Sequence, residues 1–474
     1  MPSLLSKERR ITLKRQISSV WEVYSRNKIG MFGMILVLGY VFLAIFAPWL
    51  TPYDPITDTR LAEGFAMPDW VRVFPQYSNL PKTNDIRLDW GIMQASPLTE
   101  ISWGKVAAVE YRADKGQRAE VYLAANFTYT NNAPHTFYLS FHWAATKVQN
   151  ASYSLETTVV ATNGTSYRLW SAQPSQIDDS GSIQKESTDF FLLTELGLQP
   201  VDNLAHMVFQ EPGNVSIVLH ISFRSTEDNA QAEVSVTDGR FMILGLVHGI
   251  LGADHVGADL FSQLIYGVRI SLEIGIAAAV VSTVLGVTVG VISGYLGGGT
   301  DEILMRAVDI LICLPVLPLL LALIYLFGAN VWLIVLLIAV FGWLGLSRVV
   351  RSQVLYLREM AFVECAKASG ASKLYIMFRH LVPNVWPIAF AALVLDVPGA
   401  IITEAVLSFL GFGDPSAPTW GRMLNHAFGF GAFGQLAWWW ILPPGLMITI
   451  LCLSFVFIGH AIDEIINPRL RLRK

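Results

Sequence analysis

Blocks of about twenty apolar residues recur along this chain, and that length spans the hydrocarbon core of a bilayer. The first, Gly30–Leu50, reads GMFGMILVLGYVFLAIFAPWL. It is too long for a signal-peptide core and no small-x-small cleavage pattern follows it, so an uncleaved span is expected. Further blocks fall at Ser271–Tyr295, Ile303–Phe327, Val331–Leu346, Val385–Phe409 and Trp438–Ile462. With 53% hydrophobic and only 15% charged residues, the composition lies outside the range of an ordinary soluble domain.

The charges are segregated. The first 29 residues carry seven Lys/Arg against two Glu, whereas residues 51–265 carry thirteen Lys/Arg against twenty-four Asp/Glu. Short cationic flanks stay inside the cell, which sets residues 1–29 in the cytoplasm. Six spans then return the chain to the cytoplasm at its cationic tail, 463–474, and leave 51–249 outside. Within that outside region AEVYLAANFTYT, HTFYLSFHWAAT, YSLETTVVAT and VSIVLHISFRS alternate apolar and polar residues. Asn131-Asn132-Ala133-Pro134 and Asn163-Gly164 mark turns. A β-sandwich of seven or so strands is expected, with 173–205 as a helical or irregular insert. Cys313, Cys365 and Cys452 lie in or near membrane segments, so no disulfide staples the sandwich. Asn126, Asn150, Asn163 and Asn214 each begin an Asn-x-Ser/Thr sequon there and are candidate glycosylation sites.

Motifs for chemistry are missing. The chain has no GxxxxGK[ST], no HExxH, no Gly-x-Ser-x-Gly and no CxxC. No catalytic residue and no metal ligand is assigned, and any energy input must come from another subunit. Ionisable groups within apolar spans are costly and usually face protein or water. Asp309 lies one turn from Arg306, which predicts an ion pair. Asp396 and Glu404 fall eight apart on roughly one face; they either line a path through the membrane or bond to a partner. Gly286 and Gly290 form a GxxxG that permits close helix packing. Arg348, Arg351 and Arg358 share a face beyond the fourth span, suited to lipid headgroups or to an acidic rim on a partner.

Between the fourth and fifth spans, Glu364–Pro383 reads ECAKASGASKLYIMFRHLVP. Helix formers meet the small-residue knot Ala368-Ser369-Gly370-Ala371-Ser372, and a second run stops at Pro383, which cannot continue a helix. Two short helices turning at Gly370 are expected. Spacing alone also fits an ordinary cytoplasmic connection.

This stretch resembles the EAA loop of permease subunits of ABC importers: Glu-Ala-Ala, three residues, Gly, nine residues, then Ile-x-Leu-Pro. Glu364, Ala366, Gly370 and Pro383 match, while Cys365, His380 and Val382 stand for Ala, Ile and Leu. A histidine at that place is familiar from the oligopeptide/dipeptide branch. Residues 250–273 are similar to the same branch through Leu251, Gly252, Asp254, Gly257, Asp259, Leu264–Gly267 and Arg269, with Ala253 and Ala258 replacing Thr and Arg. So are Leu407–Gly413, Pro418–Gly421 and Asn467–Arg471. The resemblance covers about 30–55 and 250–474.

It implies an all-α polytopic bundle of six transmembrane helices of the type I importer kind; the inserted extracellular mainly-β domain, read from its strand pattern, departs from the usual permease and is left unexplained by the resemblance. The expected division is a cytoplasmic segment 1–29, a first helix 30–50, the β-rich domain 51–249, a membrane core 250–462 with a cytoplasmic loop 347–384, and a tail 463–474. In such permeases the loop docks on an ATPase; the corresponding residues here are Glu364, Cys365, Ala366, Ala368, Ser369, Gly370, Ala371, Ser372 and Pro383. The implied partners are a second permease, two ATPase subunits that use ATP and magnesium, and an extracellular solute-binding protein. No cofactor on this chain and no nucleic acid is implied. Di- and oligopeptides are the implied cargo, with oligosaccharides or metal chelates as alternatives. An ion-coupled transporter acting alone is a more distant reading, as is a membrane-anchored ectodomain, which one span would serve.

Overall fold

The structure, a computed structural model, describes residues 21–103, 107–199 and 201–466. Residues 1–20 of the cationic lead and 467–474 of the tail, including Asn467–Arg471, lie outside the described residues. The chain divides into two compact units, Met1–Thr57 with Leu260–Lys474, and Asp58–Asp259. The boundaries differ from those expected. Residues 51–57 go with the helical unit, which opens on helix α1 (Lys28–Leu50). Residues 250–259 go with the β unit because Arg60 and Leu61 donate backbone hydrogen bonds to the carbonyls of Val256 and Gly257, each at 2.9 Å.

The β unit is a sandwich. Its strands among the described residues are β1 (Asn84–Arg87), β2 (Gly91–Ala95), β3 (Thr99–Trp103), β4 (Ala107–Ala113), β5 (Arg118–Tyr129), β6 (Phe137–Gln149), β7 (Ala151–Val160), β8 (Ser166–Ser171), β9 (Asp179–Glu186), β10 (Gly213–Ser225) and β11 (Ala230–Ile243). One sheet runs β3-β4-β11-β6-β9 with β1 also on β11, and the other runs β2-β5-β10-β7-β8. Strand β7 shows why: Tyr153, Leu155, Thr157 and Val159 point into the core while Ser154, Glu156 and Thr158 point out. Eleven strands stand where seven or so were expected. The short ones escaped the alternation rule because they bury little; β2 is exposed along its whole length. The 173–205 insert contains β9 and two short helices, α2 (Phe190–Glu195) and α3 (Leu204–Val208). Glu63 is half-buried in this unit, and burial pushes its carboxyl up to about 7.

The helical unit continues with α4 (Leu260–Leu296), α5 (Gly298–Ile312), α6 (Val316–Phe327), α7 (Val331–Leu357), α8 (Ala361–Ala368) and α9 (Lys373–Ile376). A π-helical turn, Met377–Leu381, leads into α10 (Val382–Phe409), followed by α11 (Trp420–Gly429) and α12 (Trp438–Ile466). Among the described residues, five helical stretches are long and apolar enough to cross a membrane: α1, α4, α7, Lys373–Phe409 and α12. The expected third span is not one straight helix. Helices α5 and α6 meet at 86°. Pro315 explains the break, since it lacks an N–H and drives the preceding residue out of helical geometry.

Glycines set the closest approach. A Cβ on Gly286 would lie 3.0 Å from Leu346 Cβ, one on Gly290 2.7 Å from the Ser347 carbonyl, and one on Gly294 2.9 Å from the Arg351 carbonyl. The contacts advance together along both helices, so α4 and α7 run parallel. By contrast α1 and α12 run antiparallel: Gly30 abuts Ala461, and the Tyr40 hydroxyl donates to the Met447 carbonyl at 2.9 Å.

Ion pairs close the end of this seam. Arg351 grips Asp301 with two hydrogen bonds of 2.5 and 2.6 Å, and Ser293 donates to the same carboxylate. The expected Arg306–Asp309 pair does not form. Arg306 pairs with Glu302 one turn behind it at 2.7 Å, and Asp309 pairs with Arg348 of α7 at 2.5 Å. Arg358 donates to the Gly294 carbonyl at 3.3 Å. The three arginines thus tie helices of this chain together.

Three outcomes are expected from purified protein in detergent. Gly290→Leu drives a side chain into the α7 backbone and lowers stability by about 1–3 kcal/mol, whereas Gly39→Leu, at a position with open space around it, leaves the melting curve in place. Arg351→Ala costs about 1–3 kcal/mol by leaving Asp301 without its ion pair, and Asp301→Asn in the same chain recovers part of the loss. For Glu63 the folded-state value lies above the unfolded one, so the unfolded chain releases the proton first and stability falls as pH rises from the ordinary glutamate range to about 7. Glu63→Gln removes that slope and raises the neutral-pH melting temperature of the β unit by about 2–4 °C.

Candidate functional site

The segment after α7 is a corner built on a left-handed glycine. Gly370 has φ +76°, its N–H bonds the Lys367 carbonyl at 3.0 Å, and the Ala371 N–H reaches back to the Ala366 carbonyl at 3.1 Å. That pair of bonds is a Schellman motif, which satisfies the last carbonyls of α8 and reverses the chain. Ser372 then caps α9, its side chain accepting from the Tyr375 N–H at 3.3 Å. Ser369 Oγ donates to the Cys365 carbonyl at 2.8 Å. Glu364, Cys365, Ala368, Ser369, Gly370 and Ser372 are exposed, while Ala366 and Ala371 are half-buried against the bundle.

The second run does not stop at Pro383. The chain stays helical from Lys373 to Phe409 because the π-turn absorbs the proline. Pro383 cannot donate to the Arg379 carbonyl, and Asn384 Nδ2 donates to the neighbouring His380 carbonyl at 2.6 Å. Pro387 repeats the deficit one turn later. The corner is therefore joined to a membrane helix by a continuous but softened base.

One face of the corner is fixed. Val363, Ile376, Met377 and Leu381 are buried with Val350, Val354 and Leu357 of α7 and with Val287 and Val291 of α4. The Lys367 ammonium sits over the Tyr295 ring at 5.7 Å. The rim beside it is apolar and open: Leu374 is 64% exposed, Tyr375 53% and Phe378 72%, and Leu374 and Phe378 border a cavity that Val287 and Val291 of α4 also line. Phe362 joins them, and His380 lies between its ring and that of Tyr375. Motif reasoning, which scores only small and charged positions, overlooked this patch. Its signal was there in the sequence, as aromatic and leucine residues interleaved with Lys373 and Arg379.

The two span carboxylates separate in space. Glu404 is fully buried and accepts from Ser408 Oγ at 2.6 Å. Beside Ser408 pack Gly413 and Gly421, where a Cβ would collide with the Ser408 side chain. Glu404 thus braces the turn after α10. Asp396 instead lines an open-sided cavity of 220 Å³ between α4, α6, α7 and α10, with Ser282, Gly342 and Thr403 on its walls. The four sequon asparagines are exposed; Asn214 accepts from Thr128 Oγ1 at 2.7 Å, and Asn163 Oδ1 accepts from the Thr165 N–H at 2.9 Å. Among the described residues no cluster of three or more His, Cys, Asp or Glu could hold a metal ion.

Comparison with known proteins agrees with the helical unit. Residues 286–472 match the family model of the binding-protein-dependent transport system inner membrane component, and 16–68 match the N-terminal transmembrane domain of oligopeptide transport permease C. A Brucella ovis protein described as a peptide permease is 39% identical over 222 residues, covering 47% of this chain and 73% of that protein. The oligopeptide transport system permease protein OppC of Haemophilus influenzae is 37% identical over 46% of this chain and 70% of its own length. OppC of Bacillus subtilis is 37% identical, with 46% and 72% covered. The chain belongs to the binding-protein-dependent transport family, as a multi-pass permease subunit of an ABC importer that leaves ATP hydrolysis to separate subunits.

Proposed function

We propose that this permease carries di- or oligopeptides and is moved by ATPase subunits seated on the corner at Gly370. The cargo reading is supported by the peptide and oligopeptide permeases it resembles, and the corner supplies the mechanics. A soluble face bearing Phe362, Leu374, Tyr375 and Phe378 needs a partner, because exposed apolar patches of this kind mark protein interaction sites. Val363, Ile376 and Leu381 behind the patch are buried against α4 and α7, so a push on it displaces helices instead of bending a loop. ATP and magnesium belong to the partner ATPases.

Six crossings complete the reading. Because α4 and α7 run parallel in contact, residues 297–330 must return across the bilayer between them, and the bent α5–α6 pair makes that return. Both termini and the Gly370 corner are then cytoplasmic, and the β unit is extracellular with its sequons open to glycosylation. A second permease provides the other half of the path, and an extracellular binding protein delivers the cargo.

Phe378→Glu and Leu374→Glu place charge on exposed side chains of the patch. Each is expected to reduce co-purified ATPase subunits and labelled-peptide uptake roughly tenfold or more, as loss of central apolar anchors does at other interfaces. Gly370→Val, which strains the left-handed corner, acts in the same direction. Full co-purification with wild-type peptide accumulation in all three variants would rule the docking reading out.

A further inference from the structure

The cavity at Asp396 is a built polar site inside an apolar bundle. Asp396 lies halfway along α10 and Ser282 past the middle of α4, so the cavity sits at mid-height of the helices, with one side open past Gly342 and Gly399. Ser282 is 3% exposed, and its Oγ has no hydrogen-bond partner among the described residues. An orphaned buried hydroxyl costs about 1–3 kcal/mol. Gly342 keeps the space in front of it clear: a Cβ there would lie 2.8 Å from Ser282 Oγ. Asp396 forms no ion pair among the described residues. A carboxylate at this depth needs a cation or a proton. Thr403 Oγ1 donates to the Gly399 carbonyl at 2.7 Å, which leaves its lone pairs free to accept.

We propose that this cavity binds a primary ammonium group, which on the peptide reading above is the amino terminus of the cargo. An ammonium brings three N–H donors. The walls offer three side-chain acceptors: the Asp396 carboxylate, Ser282 Oγ and Thr403 Oγ1. A calcium ion wants six to eight oxygens and a magnesium ion a full octahedron, so three side chains among alanine, valine, leucine and phenylalanine suit neither. The volume, 220 Å³, is roughly seven times the share of one water in the liquid. That is room for the end of a chain, and the open side leaves a way out for the rest. The cargo would be gripped by its charged end while its side chains lie along the path.

The test uses the assembled importer in lipid nanodiscs, with Cys313, Cys365 and Cys452 replaced and Ser282→Cys as a reporter. A cationic aminoethyl methanethiosulfonate should modify the introduced thiol roughly tenfold or more faster than the neutral methyl reagent, because the carboxylate concentrates cations. Asp396→Asn should abolish that preference. Equal rates in both backgrounds, or no reaction with either reagent, overturns the proposal. Thr403→Cys on the opposite wall is a second reporter if Ser282→Cys does not assemble. Protection then separates the two claims. Dialanine with a free amino group should slow labelling and N-acetyl-dialanine should not. Protection by ethylammonium without protection by dialanine keeps the ammonium site and removes the peptide reading.

Discussion

The rest of the helical unit depends on the approach of α4 to α7 across Gly286, Gly290 and Gly294. In a bilayer, lipid tails are as apolar as leucine, so helices associate through packing and hydrogen bonds. Three glycines one turn apart bring the α7 backbone within van der Waals reach over two turns. That register aligns Arg351 with Asp301 and Arg358 with the Gly294 carbonyl, which closes the seam at its end. It also sets Val350, Val354 and Leu357 beside Val287 and Val291, the surface on which Val363, Ile376 and Leu381 rest. The Gly370 corner has a fixed seat because two helices beneath it cannot slide.

Much of this was legible in the sequence, and the failures have physical causes. Hydropathy found every long apolar helix, because exclusion of water from lipid acts on composition and length alone. Gly370 was legible because few other residues reverse a helix so cheaply. The bend at Pro315 was not, since apolar length says nothing about direction. Pro383 misled for a related reason: its missing N–H forbids one hydrogen bond, and a π-turn with Asn384 as a side-chain donor makes that loss tolerable. The Arg306–Asp309 expectation failed because neighbours along a helix compete with partners across a helix interface. Glu302 lies one turn behind Arg306, and Arg348 faces Asp309. In the β unit the long strands were legible from their alternation, whereas β1, β2 and β3 are too short to show it.

Exposed apolar residues carry two meanings in this molecule, and their charged neighbours tell them apart. On α1, Phe32, Ile35, Leu38 and Ile45 are exposed within an uninterrupted apolar segment, which is a face for lipid. Leu374, Tyr375 and Phe378 have comparable exposure but are flanked by Lys373 and Arg379, and they lie beyond the end of α7. On the docking reading proposed above, a protein partner covers that face. The same degree of exposure thus calls for lipid in one place and for a partner in the other.

The two carboxylates of α10 show how the corner can govern what happens inside the membrane. Glu404 is spent on Ser408 and braces the turn after α10; Asp396, two turns nearer the corner, is left with an open cavity. The cavity walls belong to two mechanical parts. Ser282 and Gly342 sit on α4 and α7, which the glycine seam makes a single block. Asp396 and Thr403 sit on α10, which runs from the corner without a break but over a base weakened at Pro383 and Pro387. On the docking reading proposed above, a displacement at Leu374 and Phe378 would reach Asp396 as a tilt of α10 against α4, on which it packs where a Cβ on Gly275 would lie 2.6 Å from Ile401. The separation between Asp396 and Ser282 is the distance such a tilt changes first. On the two proposals above, a group held between them would be gripped or released by a movement that begins at the Gly370 corner, and no charge would have to cross the lipid unaccompanied for the signal to pass.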